Sequence, residues 1–295
     1  MNPVFRNGSG YLHRLAADLG VADYQAGSLW FSLDGGIEVV VEPLEDGSAI
    51  AAHANLGPAP VARDEAEDDP CYDLLVANVP DANADGDAVV YAIDPVSESL
   101  MLFTRLPPAE PGGYEDFAAR VRAFAQAAQT ANDALPGMPP RASAARRDPR
   151  GRLHDDTFAN LWAEYAFKAG LARGVPEAQD GGYLLALHRG GFVLVQPESG
   201  FGRVLLKAVL AFIPLDDDID EAVVCRQLLE AHLLGEATGG AYFAIDRKSH
   251  ELIACRRLAL NGLDAHALDE AIDALANTAQ HFCNRLKLLP VLAEA

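Results

Sequence analysis

The chain repeats itself. Leu33-x-x-Gly36-x-x-Val39-x-Val41-x-Pro43 returns as Leu187-x-x-Gly190-x-x-Val193-x-Val195-x-Pro197. Leu56-x-x-x-Pro60 returns as Leu210-x-x-x-Pro214, and Cys71-x-x-Leu74-Leu75-x-Ala77 as Cys225-x-x-Leu228-Leu229-x-Ala231, all at an offset of 154 residues. After a two-residue change in length, Ala92-Ile93-Asp94-x-x-Ser97-x-x-Leu100 returns as Ala244-Ile245-Asp246-x-x-Ser249-x-x-Leu252. Arg105-Leu106 then matches Arg257-Leu258, and Phe117, Val121, Phe124 and Ala128 match Leu268, Ile272, Leu275 and Ala279. Matches kept in this order require duplication, so whatever this chain folds into is built twice.

Local patterns give the unit. Leu12, Leu15, Ala16 and Leu19 have helical spacing and stop at Gly20. Leu29–Leu33 and Ile37–Val41 flank Asp34-Gly35-Gly36 and predict a hairpin. A third strand over Ser48–Leu56, a short helix over Cys71–Val79, a second hairpin around Asp94-Pro95 and a helix over Tyr114–Asn132 complete the first copy. The second copy repeats the order, with its first helix expected over Thr157–Ala169 and its middle helix over Ile219–Leu234. The fold class is α+β: a duplicated α-β-β-β-α-β-β-α module, each an antiparallel sheet with helices packed on it. Residues 1–134 and 157–295 are the expected modules. Residues 135–156, rich in Pro and Arg and without apolar period, are the expected linker.

Charge and cysteine usage narrow the function. The formal net charge of the 295 residues is −20, distributed as −16 over residues 1–140, +2 over 141–157 and −6 over 158–295. A surface this acidic repels nucleic acid and anionic membrane. No apolar run is long enough to cross a bilayer, and no leader pattern opens the chain. Four cysteines without a CxxC pair indicate neither a disulfide framework nor a zinc site, so a reducing cytoplasm is expected.

One stretch carries a resemblance. Leu228-Leu229-Glu-Ala231 leads through Thr238-Gly239-Gly240 into a strand ending Ala244-Ile245-Asp246. Together with the element order and the acidity, this resembles the type III secretion chaperones of the Tir chaperone (CesT-like) family. The first copy departs from that pattern, with Asp85-Gly86-Asp87 in place of the Thr-Gly-Gly turn. Such chaperones form homodimers. The resemblance therefore implies an intramolecular pseudo-dimer, monomeric in solution, with the middle helices at the interface: Cys71, Leu74, Leu75, Cys225, Leu228 and Leu229. It also implies a secreted effector as partner, bound as an extended segment and kept competent for secretion, with a secretion ATPase as a candidate second partner.

Chemistry has little foothold in the sequence. The acidic run Asp216-Asp217-Asp218-Ile219-Asp220-Glu221 lacks the glycine and spaced ligands of a calcium loop and sits at a helix start, where acids cap and favour the dipole. The histidines are scattered, and no nucleophile elbow, phosphate loop or dinucleotide fingerprint is present. No catalytic, cofactor or metal residue is assigned, and no enzyme activity is expected. The alternatives are a hydrolase or transferase on the duplicated scaffold, or a regulatory pseudo-dimer that binds secretion-machine components. Strand alternation places Trp30 and Val40, and Leu184, Phe192 and Leu194, opposite the helix-packed faces. They are the expected lining of client surfaces, with burial between the modules as the other reading.

Overall fold

The computed structural model describes residues 3–21, 24, 27–44, 49–61, 69–80, 89–106, 113–134, 151–171, 181–187, 191–198, 202–216 and 218–288. In the first module, α1 (Pro3–Leu19) precedes β1 (Leu29–Ser32), β2 (Glu38–Pro43) and β3 (Ile50–Pro58). There follow α2 (Pro70–Ala77), β4 (Val90–Asp94), β5 (Ser99–Leu106) and α3 (Gly113–Ala134). The second module repeats this as α4 (Gly151–Lys168), β6 (Tyr183–Ala186), β7 (Phe192–Glu198), β8 (Arg203–Phe212), α5 (Glu221–Ala231), β9 (Tyr242–Asp246), β10 (Glu251–Ala259) and α6 (Ala265–Leu286).

Each module forms one five-stranded antiparallel sheet, ordered β1-β2-β3-β5-β4 and β6-β7-β8-β10-β9. The second hairpin of each copy thus adds its later strand against the third strand and leaves its earlier strand, β4 or β9, at an edge. Helices cover one face of each sheet. α3 lies on β3 and β5, and α6 lies on β7, β8 and β10. The repeated apolar stripes do this: Phe117, Val121, Phe124 and Ala128 are buried, as are Leu268, Ile272, Leu275 and Ala279. Side chains fully buried at this face, such as Phe117 and Phe124, are each worth about 3–5 kcal/mol against truncation to Ala.

The helix ends follow local chemistry. Gly20 takes a φ of 71° after α1, so Val21 N–H can return to the Ala16 carbonyl at 2.9 Å. Asp69, Asp220 and Asp264 each accept a backbone N–H at the start of α2, α5 and α6. Two helix bounds differ from the sequence expectation. α4 begins at Gly151 rather than Thr157, so its first residues come from the segment expected to be linker. α5 ends at Ala231 rather than near Leu234, because His232 turns its side chain into the neighbouring sheet and Leu234 takes a left-handed φ of 54°.

Candidate functional site

The two modules meet reciprocally. α2 of the first packs on β9 of the second, α5 of the second packs on β4 of the first, and α2 and α5 pack on each other. This exchange is what a twofold axis between equivalent units produces. Cys71, Leu74, Leu75, Cys225, Leu228 and Leu229 are all buried in one continuous core. Their positions along the helices differ. Cys71 is the second residue of α2, which Pro70 starts late, whereas Cys225 lies one turn inside α5.

At the centre, two polar side chains seal the edge strands. Asn78 accepts from Tyr91 N–H at 2.8 Å and donates to the Tyr91 carbonyl at 3.0 Å and, across the interface, to the Phe243 carbonyl at 3.4 Å. His232, which the repeat aligns with Asn78, does the same from the other side. Its Nδ1 accepts from Phe243 N–H at 2.9 Å and its Nε2 pairs with the Tyr91 carbonyl at 2.8 Å. The accepting role of Nδ1 fixes the neutral tautomer with the proton on Nε2. His232 is 0% exposed, and burial pushes its pKa down to about 4. Sequence reasoning missed both residues, although each directly follows the repeated Leu-Leu-x-Ala pattern.

A third contact uses the repeated arginine. Arg105 of β5 donates to the Leu234 carbonyl at 3.2 Å. A Cβ at Gly235 would lie 2.7 Å from the Arg105 Nη1, and one at Gly240 would lie 3.4 Å from it. The Thr-Gly-Gly turn of the second module therefore cups an arginine of the first. Thr238 holds the turn by donating to the Ala241 carbonyl.

The outer sheet faces are half covered. Register joins Trp30, Val40, His53, Phe103 and Val90 into one row, and Leu184, Leu194, Lys207, Cys255 and Tyr242 into the equivalent row. The inner ends of these rows, Val90, Phe103, Tyr242 and Cys255, join Ala92, Leu205, Ala244 and Ile253 in a core shared by both modules. The outer ends are not covered in this way. Trp30 is 57% exposed, and Leu184, Phe192 and Leu194 are half-buried. Val40 is different at 5% exposed, because Trp30 and His53 flank it in the sheet. Glu42, His53 and Lys207 lie on the same open halves, with Val209 packed against the shared core, and they carried no signal beyond strand alternation.

A family model decides what such a module is. The model described as the Tir chaperone protein (CesT) family matches residues 10–132 and again residues 164–282. The chain belongs to the CesT family. Solved structures similar to it include the HopA1–SchA chaperone–effector complex (14% identity, 45% of this chain and 97% of the matched chain, TM-score 0.38). The ExsC–ExsE complex is a second (21% identity, 49% and 98%, TM-score 0.37). A third is the Yersinia pestis type III secretion chaperone SycH with a fragment of YscM2 (14% identity, 42% and 98%, TM-score 0.34). None of the curated proteins compared with this chain matches it.

In this CesT pair the groups that most often carry chemistry are tied down. All four cysteines are buried, and burial pushes the thiols up, to about 12 at Cys71 and Cys255 and about 11 at Cys283, with Cys225 also well above its usual range. They stay protonated near neutral pH and are poor nucleophiles. Among the described residues no group of three or more His, Cys, Asp or Glu is placed to hold a metal. Asp220 caps α5, which gives the acidic run a structural task, although Asp217 lies outside the described residues. Arg141, Arg146, Arg147 and Arg150 also lie outside them, and Arg152 falls in the first turn of α4. No helix among the described residues is long and apolar enough to cross a membrane.

Proposed function

We propose that this chain is a tandem type III secretion chaperone that holds a segment of a secreted effector in extended form in the cytoplasm. The observation that carries the reading is how the sheets use their edges. β4 and β9 and the adjoining halves of the outer faces are turned to the other module. β1 and β6 form the opposite edges, beside the open apolar residues Trp30, Leu184, Phe192 and Leu194. An extended client adds main-chain hydrogen bonds along such an edge and places alternate side chains on the face beside it. Val40 underlies this surface in the first module. Binding of this kind makes and breaks no bond, so the protein acts without catalysis or cofactor.

The domain assignment follows. Residues 1–134 and 157–295 hold the two binding units, and 135–156 joins them, its last residues from Gly151 onward forming the start of α4. A tether of that length holds the modules at roughly millimolar effective concentration, so they pair within the chain. The secretion ATPase is a candidate second partner, and nucleic acid is excluded by the net charge of −20.

The test is affinity capture of the tagged chain from its native cytoplasm, followed by mass spectrometry and limited proteolysis. One secreted protein, recovered in stoichiometric amount and protected over a segment that is cleaved when free, supports the reading. Recovery of secretion-machine components alone supports a regulatory role and sinks it.

A further inference from the structure

The two open faces share one frame and differ in chemistry at equivalent positions. In the first module Glu38, Val40 and Glu42 alternate along β2 on the outer face, so the two carboxylates stand about 7 Å to either side of the strand position that faces Trp30. Trp30 is 57% exposed and Glu38 is exposed. Glu42 is held in place by Ser28 at 2.8 Å and His53 at 3.0 Å. An exposed indole flanked by two carboxylates fits a cation, since the ring face and both charges attract it.

At the equivalent positions the second module has Phe192, Leu194 and Gln196 beside Leu184, with Lys207 where the first has His53. Gly182 stands where the first module has Ser28. It is buried, and a Cβ there would lie 3.0 Å from the Val195 carbonyl oxygen. The carboxylates and the group that orients one of them are therefore both missing. Around Leu184, Phe192 and Leu194 the face is apolar, with Lys207 beside it and the charges of Arg203 and Arg257 further along paired to Glu198.

The geometry points to two unequal subsites for one client. The first module takes an Arg or Lys side chain of the extended segment across Trp30, between Glu38 and Glu42. The second takes apolar side chains on Leu184, Phe192 and Leu194. The inference rests on the client-binding reading above and adds to it the order of chemistry along the client.

Trp30 reports on its own subsite. The only other tryptophan, Trp162, is buried and stacked on Tyr183 at 4.0 Å, and a Trp30→Phe control removes the signal of interest. The probes are short labelled peptides of alternating Thr and Val whose central outward residue is Arg, Leu or Glu. The Arg peptide is expected to shift Trp30 emission at roughly five- to tenfold lower concentration than the Leu peptide, with the Glu peptide weakest. Glu38→Lys, at an exposed position, is expected to put the Glu peptide ahead of the Arg peptide, and Glu38→Lys/Glu42→Lys to widen that reversal. The anisotropy of the labelled Leu peptide is expected to survive these changes and to be lost in Phe192→Asp/Leu194→Asp. Three peptides that shift Trp30 alike, or an order unchanged by Glu38→Lys, overturn the unequal subsites and leave the client reading intact. Failure of every peptide at both faces overturns the client reading as well.

Discussion

His232→Leu tests the module interface, and its effect should depend on pH in a defined way. The imidazole lies between the rings of Phe103 and Phe243, at centroid distances of 6.3 and 5.8 Å, one from each module. It is fully buried, and burial holds its pKa near 4 against about 6.5 in an unfolded chain. Above about pH 6.5 both states are neutral and the folded state keeps its full advantage. As pH falls from there towards 4, the unfolded chain takes up a proton that the folded one refuses, so stability drops. A difference of roughly 2.5 units at about 1.4 kcal/mol each removes on the order of 3 kcal/mol. Leucine does not titrate, but it leaves Phe243 N–H buried without its acceptor, which costs about 1–3 kcal/mol. The variant should therefore be less stable at about pH 7.5, and the gap should close or reverse by about pH 4. Urea unfolding of both proteins across this range, followed by circular dichroism, measures the difference while cancelling the carboxylates common to both. A gap that stays constant with pH would show that His232 is not buried as a neutral acceptor.

The remaining expectations are simpler. Gly235→Ala should lose about 1–3 kcal/mol, because it forces a side chain onto a φ of 69° and against Arg105. Adding Arg105→Ala should restore part of that loss, and a strictly additive double-mutant cycle in chemical denaturation would contradict the contact. Glu198→Gln should destabilise by about 3 kcal/mol, because Glu198, with its side chain 2% exposed, meets Arg257 at 2.6 Å and Arg203 at 3.3 Å; thermal unfolding unchanged from the native chain would contradict this. Light scattering should give a mass near the 31.4 kDa of one chain, and a mass near twice that would mean that modules pair between chains.

The fold was legible because duplication wrote each apolar stripe twice. Phe117 to Ala128 and Leu268 to Ala279 support each other as core faces in a way that neither does alone. Helix bounds were less legible. Pro70 shortens α2 visibly in the sequence, but nothing local announces that α5 stops at Ala231, since the cause is the tertiary pull of Tyr91 and Phe243 on His232. The outer faces show the same limit. Alternation puts Trp30, Phe103 and Val90 on one face, yet it cannot say that the partner module covers the last two and leaves the first open. Val40 is outward by alternation and buried by its neighbours. The dyad pair Asn78 and His232 was recoverable in principle, because two polar residues aligned by the repeat at the end of an apolar helix have to find partners together.

Hydrogen exchange of the whole chain, alone and with the client it captures, tests the central claim most directly. The account predicts that binding adds protection along β1, β2, β6 and β7, while α2, α5, β4 and β9 are already protected in the free protein and do not change. Protection gained mainly in α2, α5, β4 and β9 would mean that the modules separate to admit the client, and would contradict a preformed internal pair that binds on its outer edges.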